Sequence, residues 1–170
     1  MLLNEVYFWT DTIKDWKHLL KTDTYKLIIL DSWRYLVKLK KVKIYAFVIM
    51  PNHLHIVWEM LFLNKKEMPY ASFNKFTAHQ FLNKLKLESI SEYKENSIER
   101  SHRFWTRDAL AIHLDSKEKI EQKIDYIHLN PLQEHWNLVK YPEEYHWSSA
   151  KFYKNGVDEY GILTHYMDRF

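Results

Sequence analysis

The sequence predicts an α+β fold in which a central antiparallel sheet carries helices packed on it. The first observation is a pair of β-type segments, 45–50 and 53–60, separated only by Pro51-Asn52, which favours a tight turn. The second observation is the order of the other segments: a strand and a helix precede this hairpin, and a helix, a strand and a helix follow it. Strands joined by a tight turn run antiparallel, so these elements predict a sheet-and-helix domain.

The segments before and around the hairpin follow ordinary patterns. Residues 6–10 are β-branched and aromatic, which is typical of a strand. Residues 24–40 place apolar side chains at i, i+4, i+7 and i+8, which predicts a helix with one buried face. The first hairpin strand is an unbroken apolar run, as expected of a strand covered on both faces. Residues 61–68 are expected to form a loop.

The second hairpin strand carries two histidines on one face. Because side chains alternate along a strand, His53 and His55 share a face and Leu54 and Ile56 share the other. The two Cα atoms should lie about 6.5–7 Å apart, so both imidazoles can converge on one ion. The alternative for an isolated His-Leu-His is one packed and one solvated imidazole. A metal site here needs a further ligand from elsewhere in the chain.

A second helix is predicted to begin at Pro69, as its first-turn residue. Its apolar stripe ends near residue 85, and Lys75 and His79 lie on another side of it. That polar row is either a solvated face or an edge that contacts phosphate groups.

An arginine-rich segment follows over residues 100–107. It interleaves three arginines with two aromatic residues: Arg100, Arg103, Phe104, Trp105 and Arg107. Guanidinium groups and aromatic rings both suit nucleic acid, the first by binding phosphate and the second by stacking on bases. The alternative is a basic loop that buries Phe104 and Trp105, and both can hold at once. Residues 109–114 then alternate as a last core strand.

The last long helix follows from about residue 115, with Asp115 and Glu118 as a capping box. An i, i+4, i+7 stripe of isoleucines faces the core: Ile120, Ile124 and Ile127. Tyr126 lies about 100° round the helix from that stripe, on the side that also carries Lys119, Lys123 and Asn130. Pro131 disfavours helical geometry at the preceding residue and is expected to end the helix there. A tyrosine at such a position is either an amphipathic edge residue or, beside an amide and two lysines, a phenol suited to attack phosphate.

Composition narrows the class of protein. The chain has 170 residues, and we interpret residues 1–170 as one domain with a core over about 6–130 and a C-terminal extension over about 131–170. It has no cysteine, which excludes disulfides and thiolate metal sites and fits a cytoplasmic location. Two glycines rule out the glycine-rich nucleotide loops. We expect no signal peptide and no membrane-spanning segment. The net charge of +3 is too small to indicate nucleic acid by itself.

Three stretches taken together resemble a known family. They are Met50-Pro51-Asn52-His53-Leu54-His55, Tyr126-Ile127-His128-Leu129-Asn130-Pro131 and Trp147-Ser148-Ser149. In this order they resemble HUH-type single-tyrosine transposases, and most of all the REP-associated tyrosine transposases, over residues 6–153. The chain departs from that pattern after Asn130-Pro131, where it lacks the family's basic, glycine-containing turn. The resemblance implies the ferredoxin-like arrangement of an HUH endonuclease.

The resemblance also implies roles for individual residues. His53 and His55 match the histidines that bind the catalytic metal, Asn130 matches a third ligand, and Tyr126 matches the nucleophile. Imidazole chemistry alone favours zinc, nickel or manganese, whereas the resemblance implies Mg²⁺ or Mn²⁺. DNA contacts are expected from Lys75, His79, Arg100, Arg103, Arg107, Lys119 and Lys123.

The implied activity is cleavage and rejoining of single-stranded, hairpin-bearing DNA through a 5′-phosphotyrosine. The implied assembly is a monomer or a homodimer, with no membrane partner. The alternative is a non-catalytic or domesticated, sequence-specific DNA-binding protein of the same fold.

Overall fold

The computed structural model describes residues 1–85, 90–94, 102–107 and 109–170. Four strands form one antiparallel sheet in the order β2-β3-β1-β4: β1 (Val6–Thr12), β2 (Val42–Ile49), β3 (His53–Met60) and β4 (Leu110–His113). Four α-helices accompany it: α1 (Asp23–Lys38), α2 (Pro69–Lys84), α3 (Lys117–Leu129) and α4 (Ala150–Asn155). The predicted α+β fold class is confirmed.

The sheet is covered on both faces, and the alternation of β3 separates them. Leu54, Ile56 and Trp58 point into the core cluster that α1 and α2 cover, through side chains such as Trp33 and Phe73. Val57 points the other way, into the cluster formed by the isoleucine stripe of α3. Each such large apolar side chain contributes about 1.5–3 kcal/mol of burial free energy, so the face on which each β3 residue lies is strongly specified.

The C-terminal part of the chain runs along the free edge of β2. Ser149 N donates to Phe47 O at 3.0 Å, Ile49 N donates to Trp147 O at 2.8 Å, and Thr164 N donates to Ile44 O at 2.8 Å. These bonds satisfy backbone groups that an edge strand otherwise exposes. The segment consists of short helices and turns packed on the sheet, as the sequence predicts.

Two local expectations are wrong, and a third is correct only in part. The strand after the arginine-rich segment is an edge strand with mostly exposed side chains, because β4 pairs on one side only, with β1. The cap of α3 is Ser116, whose hydroxyl accepts from Lys119 N at 3.4 Å, while Asp115 binds the Lys119 ammonium instead. The α-helix ends at Leu129, before Pro131 as predicted, but Asn130 itself keeps helical dihedral angles (φ −57°, ψ −43°), since the chain continues into a 3₁₀ turn over Asn130–Leu132.

In the described part of the chain, no helix is both long and apolar enough to cross a bilayer.

Candidate active site: a histidine pair beside a tyrosine

The register between β1 and β3 fixes the positions of the two histidines. Thr12 pairs with His53 and Thr10 pairs with His55, near the hairpin end of the sheet. Both histidines are buried, and their ring centroids lie 4.7 Å apart. The predicted convergence of the two imidazoles on one face is therefore present in the structure.

Each imidazole is oriented through its Nδ1 atom. His53 Nδ1 lies 2.7 Å from Asn52 Oδ1, an atom that can only accept, so Nδ1 carries the hydrogen and Nε2 keeps its lone pair. His55 Nδ1 lies 2.7 Å from the hydroxyl oxygen of Thr10. Hydrogen bonds of this kind hold the ring orientation of metal-ligating histidines. With both Nδ1 atoms engaged, Nε2 is the candidate ligand atom of each ring.

Burial keeps both histidines neutral. It lowers the pKa of His53 to about 4, against an opposing contribution from the Asn130 amide. The pKa of His55 lies well below its ordinary value, first because of burial and then because of positive charge on His53 and Lys123. The neutral imidazole is the form that binds metals, so no proton has to leave either ring near pH 7.

Helix α3 carries Tyr126 to the same place. The isoleucine stripe packs on the sheet, and the offset of one residue turns the Tyr126 ring toward the histidines, 5.3 Å from the His55 ring and 5.9 Å from the Phe8 ring. Tyr126 remains 44% exposed, so its phenol is accessible to a large substrate. The Lys123 ammonium lies 5.6 Å from the Tyr126 ring centroid and 4.8 Å from that of Phe8. The lysine thus places a positive charge beside the Tyr126 ring.

The donor atoms at this site fit a divalent cation. His55 Nε2 and Asn130 Oδ1 are buried and have no hydrogen-bond partner among the described residues. Unpaired buried polar atoms cost about 1–3 kcal/mol each, and two of them meet here beside His53. Imidazole nitrogens suit ions such as Zn²⁺ and Ni²⁺ and an amide oxygen suits Mg²⁺ and Mn²⁺, so this mixed set can hold a divalent cation without selecting one. Among the described residues, no group of three or more histidine, cysteine, aspartate or glutamate side chains could hold a metal ion, so the Asn130 amide is the candidate third ligand beside the pair.

Two of the predicted phosphate contacts lie elsewhere. Lys75 and His79 are on α2, which covers the opposite face of the sheet from His53. Lys75 pairs with Glu67 at 2.9 Å. Both residues line a cavity of about 680 Å³ between α1 and α2, and this cavity is separate from the histidine pair. The His79 ring bonds with Asn83 within the helix.

The remaining predicted contacts divide between α3 and the arginine-rich segment. Lys123 adjoins Tyr126, whereas Lys119 pairs with Asp115 at 2.6 Å. Arg103 and Arg107 lie in the stretch whose Thr106 N donates to Thr12 O at 2.8 Å, which places it alongside the His53 end of the sheet. Phe104 and Trp105 of this stretch are buried, as the core alternative requires. Arg100 lies outside the described residues.

Sequence reasoning missed the residues that position the histidines. The contact of Thr10 with His55 cannot be predicted from either strand alone, because it depends on the register between them. Asn52 adjoins His53 in sequence, but its composition pattern indicates only a turn. Trp136 was also missed: its ring lies 5.9 Å from that of His53 and 5.8 Å from that of His18. No pattern in the sequence marks this contact.

The Trp147-Ser148-Ser149 stretch has a structural role. The Ser149 hydroxyl lies 2.9 Å from His128 Nε2 and accepts from Phe47 N at 2.9 Å. It therefore connects α3 to β2 two residues from Tyr126. Both sides of this connection are buried, and breaking it strands a polar group in the core.

The turn that departs from the family pattern closes without glycine. Asn137 adopts φ 44° in the left-handed region, which asparagine tolerates better than most residues. Trp136 N and Asn137 N both donate to Gln133 O at 2.8 Å. A tight turn is thus retained, and it carries Trp136 to the rim of the site.

Comparison with known proteins agrees with the fold. No protein-family model matches the chain, and no characterised protein matches its sequence. Among solved structures, the chain is similar to a REP-associated tyrosine transposase bound to a REP hairpin, with a TM-score of 0.62 and 19% identity over 96% of this chain and 87% of the other. It is also similar to a Deinococcus radiodurans protein whose description as a transposase is provisional, with a TM-score of 0.44 and 14% identity over 75% of this chain and 91% of the other. The chain has the fold of the REP-associated tyrosine transposase, the family that its motifs resemble.

Proposed function

We propose that the protein is a metal-dependent DNA transposase or endonuclease that cleaves and rejoins single-stranded DNA through Tyr126. The observation that carries the proposal is the convergence, within one chain, of a neutral histidine pair, the unpaired Asn130 amide oxygen and an accessible tyrosine. A structural core has no need to leave two ligand atoms unpaired beside an exposed phenol. The shared fold with a transposase that was solved with a hairpin supports DNA as the substrate.

His53 Nε2, His55 Nε2 and Asn130 Oδ1 would hold the divalent cation, which we take to be Mg²⁺ or Mn²⁺. When bound, such a cation polarises the scissile phosphate and offsets the charge that develops on it. Thr10 and Asn52 keep the two rings in the ligating orientation. Burial keeps them unprotonated, so the ligand set is ready at neutral pH.

Tyr126 supplies the nucleophile. Its phenol loses a proton to solvent and its oxygen forms a bond to phosphorus, while the bond from phosphorus to the 3′-oxygen breaks and that oxygen takes up a proton. The products are a 5′-phosphotyrosine and a free 3′-hydroxyl. One phosphodiester replaces another, so the step is nearly balanced in free energy and a second DNA end can reverse it without ATP. The Lys123 ammonium beside the Tyr126 ring favours the charged phosphate during attack.

An unpaired strand is the expected substrate. The tyrosine and the histidines lie against the sheet, and a phosphodiester held in a duplex is difficult to bring against both. Unpaired strands can be splayed and stacked on aromatic residues. A hairpin would fix the position of such a strand, and the arginine-rich segment beside the His53 end of the sheet could hold its phosphates.

The test is incubation with hairpin DNA carrying randomised single-stranded flanks and Mn²⁺, followed by denaturing electrophoresis. We expect a covalent protein–DNA adduct from the parent protein and none from Tyr126→Phe. Tyr35→Phe is the matched control, because Tyr35 is also exposed but lies on α1, which covers the other face of the sheet. An equal adduct from Tyr126→Phe would contradict the assignment of the nucleophile. Tight binding that is independent of metal, with no adduct, would favour the non-catalytic DNA-binding alternative.

A further inference from the structure

The loop after β1 contains a turn with two consecutive residues in the left-handed backbone region. Asp15 has φ 57° and Trp16 has φ 55°, which costs about 1–2 kcal/mol per residue for side chains of this kind. Such strain persists only where the surroundings hold it, and it concentrates at functional sites. The turn is held from two sides: Ile13 N donates to Asn52 O at 2.8 Å and Lys14 N donates to Phe104 O at 2.6 Å.

This turn is connected to the histidine pair through Asn52. The Trp16 carbonyl accepts from Asn52 Nδ2 at 3.3 Å, and the other end of the same amide lies 2.7 Å from His53 Nδ1. The backbone of Trp16 is thus two hydrogen bonds away from a candidate metal ligand. The Asn52 side chain thus holds the Trp16 backbone in place relative to the site and also orients His53.

The strained turn presents its tryptophan to solvent. Trp16 is 65% exposed, although tryptophan is among the side chains with most to gain from burial. A single exposed aromatic residue is common and decides nothing by itself. Here the exposed ring coincides with a strained backbone and with a hydrogen-bonded connection to His53, which ordinary surface residues do not show.

A second tryptophan lies across the same rim. The Trp136 ring is 5.9 Å from the His53 ring, 5.8 Å from the His18 ring and 5.4 Å from the His135 ring. His18 is two residues from Trp16, so the β1–α1 loop and the turn after α3 meet at the mouth of the site. The β1–α1 loop carries Lys14 and Lys17 around Trp16 against Asp15, and Lys17 also pairs with Glu92 at 3.1 Å.

We propose that Trp16, with Trp136 behind it, forms a stacking platform for the unpaired DNA base that adjoins the scissile phosphate. The inference rests on the proposed function and names the part of the substrate that this rim recognises. Aromatic rings stack on any base face, and cationic side chains around them attract the phosphates on either side. A base stacked at this rim holds its own phosphate toward the histidines.

The experiment measures binding to fluorescently labelled single-stranded DNA by anisotropy, in a Tyr126→Phe background so that no strand is cut. We expect Trp16→Ala to weaken binding by about 5- to 100-fold, the range for one lost stacked base, and Trp16→Phe to retain most of the affinity. Phe62→Ala is the matched control, because Phe62 is similarly exposed (61%) but follows the far end of β3. Thermal unfolding of each variant confirms that it is folded.

A series of strands with one abasic nucleotide at successive positions then locates the contact. At one position in the series, the missing base is the one that stacks on Trp16. A strand that lacks this base should bind the parent protein and Trp16→Ala equally, because the stacking contact is absent in both complexes. If Trp16→Ala binds single-stranded DNA as tightly as the parent protein does, this inference is wrong while the proposed function stands. A parent protein that binds no single-stranded DNA would overturn the proposed function and this inference with it.

Discussion

The buried carboxyl of Asp11 offers a pH-dependent test of how the structure is held together. Asp11 lies on β1, has no exposed surface and sits on the side covered by α2. Burial raises its pKa to about 8, although hydrogen bonds from Asn74 and from Thr12 N (3.0 Å) act in the opposite direction. Asp11 Oδ2 and Asn74 Oδ1 are both buried acceptors that find no donor among the described residues. A proton on Asp11 supplies that donor, so the geometry and the pKa agree that the group is neutral at pH 7.

The direction in which stability changes with pH follows from the number of protons bound in the folded and unfolded states. An unfolded aspartate has a pKa of about 3.9, so between about pH 4 and pH 8 the folded state holds a proton that the unfolded state has lost. Stability contributed by this group is therefore present below pH 4 and decreases as the pH rises toward 8. One proton corresponds to about 1.4 kcal/mol per pH unit, and the full window to about 5 kcal/mol as an upper limit.

Asp11→Asn should remove this dependence, because asparagine has the shape of the protonated acid and keeps a donor. We expect the unfolding free energy of the variant to exceed that of the parent protein by an amount that grows from about pH 4 to pH 8 and is constant above pH 8. The measurement is urea denaturation at half-unit steps from pH 5 to pH 9. The buried histidines also change stability with pH, but they do so in both proteins, so the difference between the parent protein and Asp11→Asn at each pH isolates Asp11.

The control is Asp125→Asn, the same chemical change at an exposed position on α3, for which we expect a difference within about 0.5 kcal/mol. Parallel stability curves for the parent protein and Asp11→Asn across the whole range would refute the reasoning. They would mean that the Asp11 carboxyl is ionised in the folded protein, with a donor that offsets its burial.

Three further substitutions test the site. Thr10→Val removes the hydrogen bond to His55 Nδ1 and should lower Mn²⁺ affinity by about 10- to 100-fold in calorimetric titration. The control variant Thr10→Ser keeps the hydroxyl and should bind Mn²⁺ as the parent protein does. Equal affinity in both variants would contradict the orienting role of Thr10. Asn130→Ala should lower Mn²⁺ affinity, and Asn130→Asp should restore it because a carboxylate oxygen replaces the amide oxygen; no loss in the alanine variant would remove Asn130 from the ligand set. Ser149→Ala should cost about 1–3 kcal/mol in urea denaturation because His128 and Phe47 lose a buried partner, and an unchanged midpoint would show that this link is dispensable.

The sequence was informative where a local pattern decides the outcome. Alternation along β3 is enough to separate His53 from Leu54, since each face of the sheet buries a different cluster. The stripe of α3 likewise fixes the side on which Tyr126 lies. What local patterns cannot provide is register between distant strands. The pairing of Thr10 with His55 joins residues 45 positions apart, and nothing within either strand specifies it.

Local propensity also failed where several weak preferences compete. Asp115 and Ser116 are both good cap residues, and the structure uses Ser116 because Asp115 pairs with Lys119. Pro131 disfavours helical geometry at Asn130, but burial of Asn130 beside His53 outweighs that preference and keeps the amide turned inward. The second case matters for function, because an extended Asn130 could not present its oxygen to the histidine pair.

The position of Tyr126 depends on contacts that never touch a substrate. Side chains of adjacent residues point in directions about 100° apart around the helix axis. Rotation of α3 about its axis would therefore move the Tyr126 phenol away from His55 and bring Ile127 toward it. Two features oppose that rotation: the buried isoleucine stripe and the link from His128 through Ser149 to β2. A single chain thus supplies the histidines, the amide and the tyrosine, so a second subunit is not needed to complete this set. If Tyr126 is the nucleophile, as we propose, substitutions such as Ser149→Ala should lower adduct formation by more than their cost in stability explains, because α3 loses a contact that opposes its rotation while the fold persists.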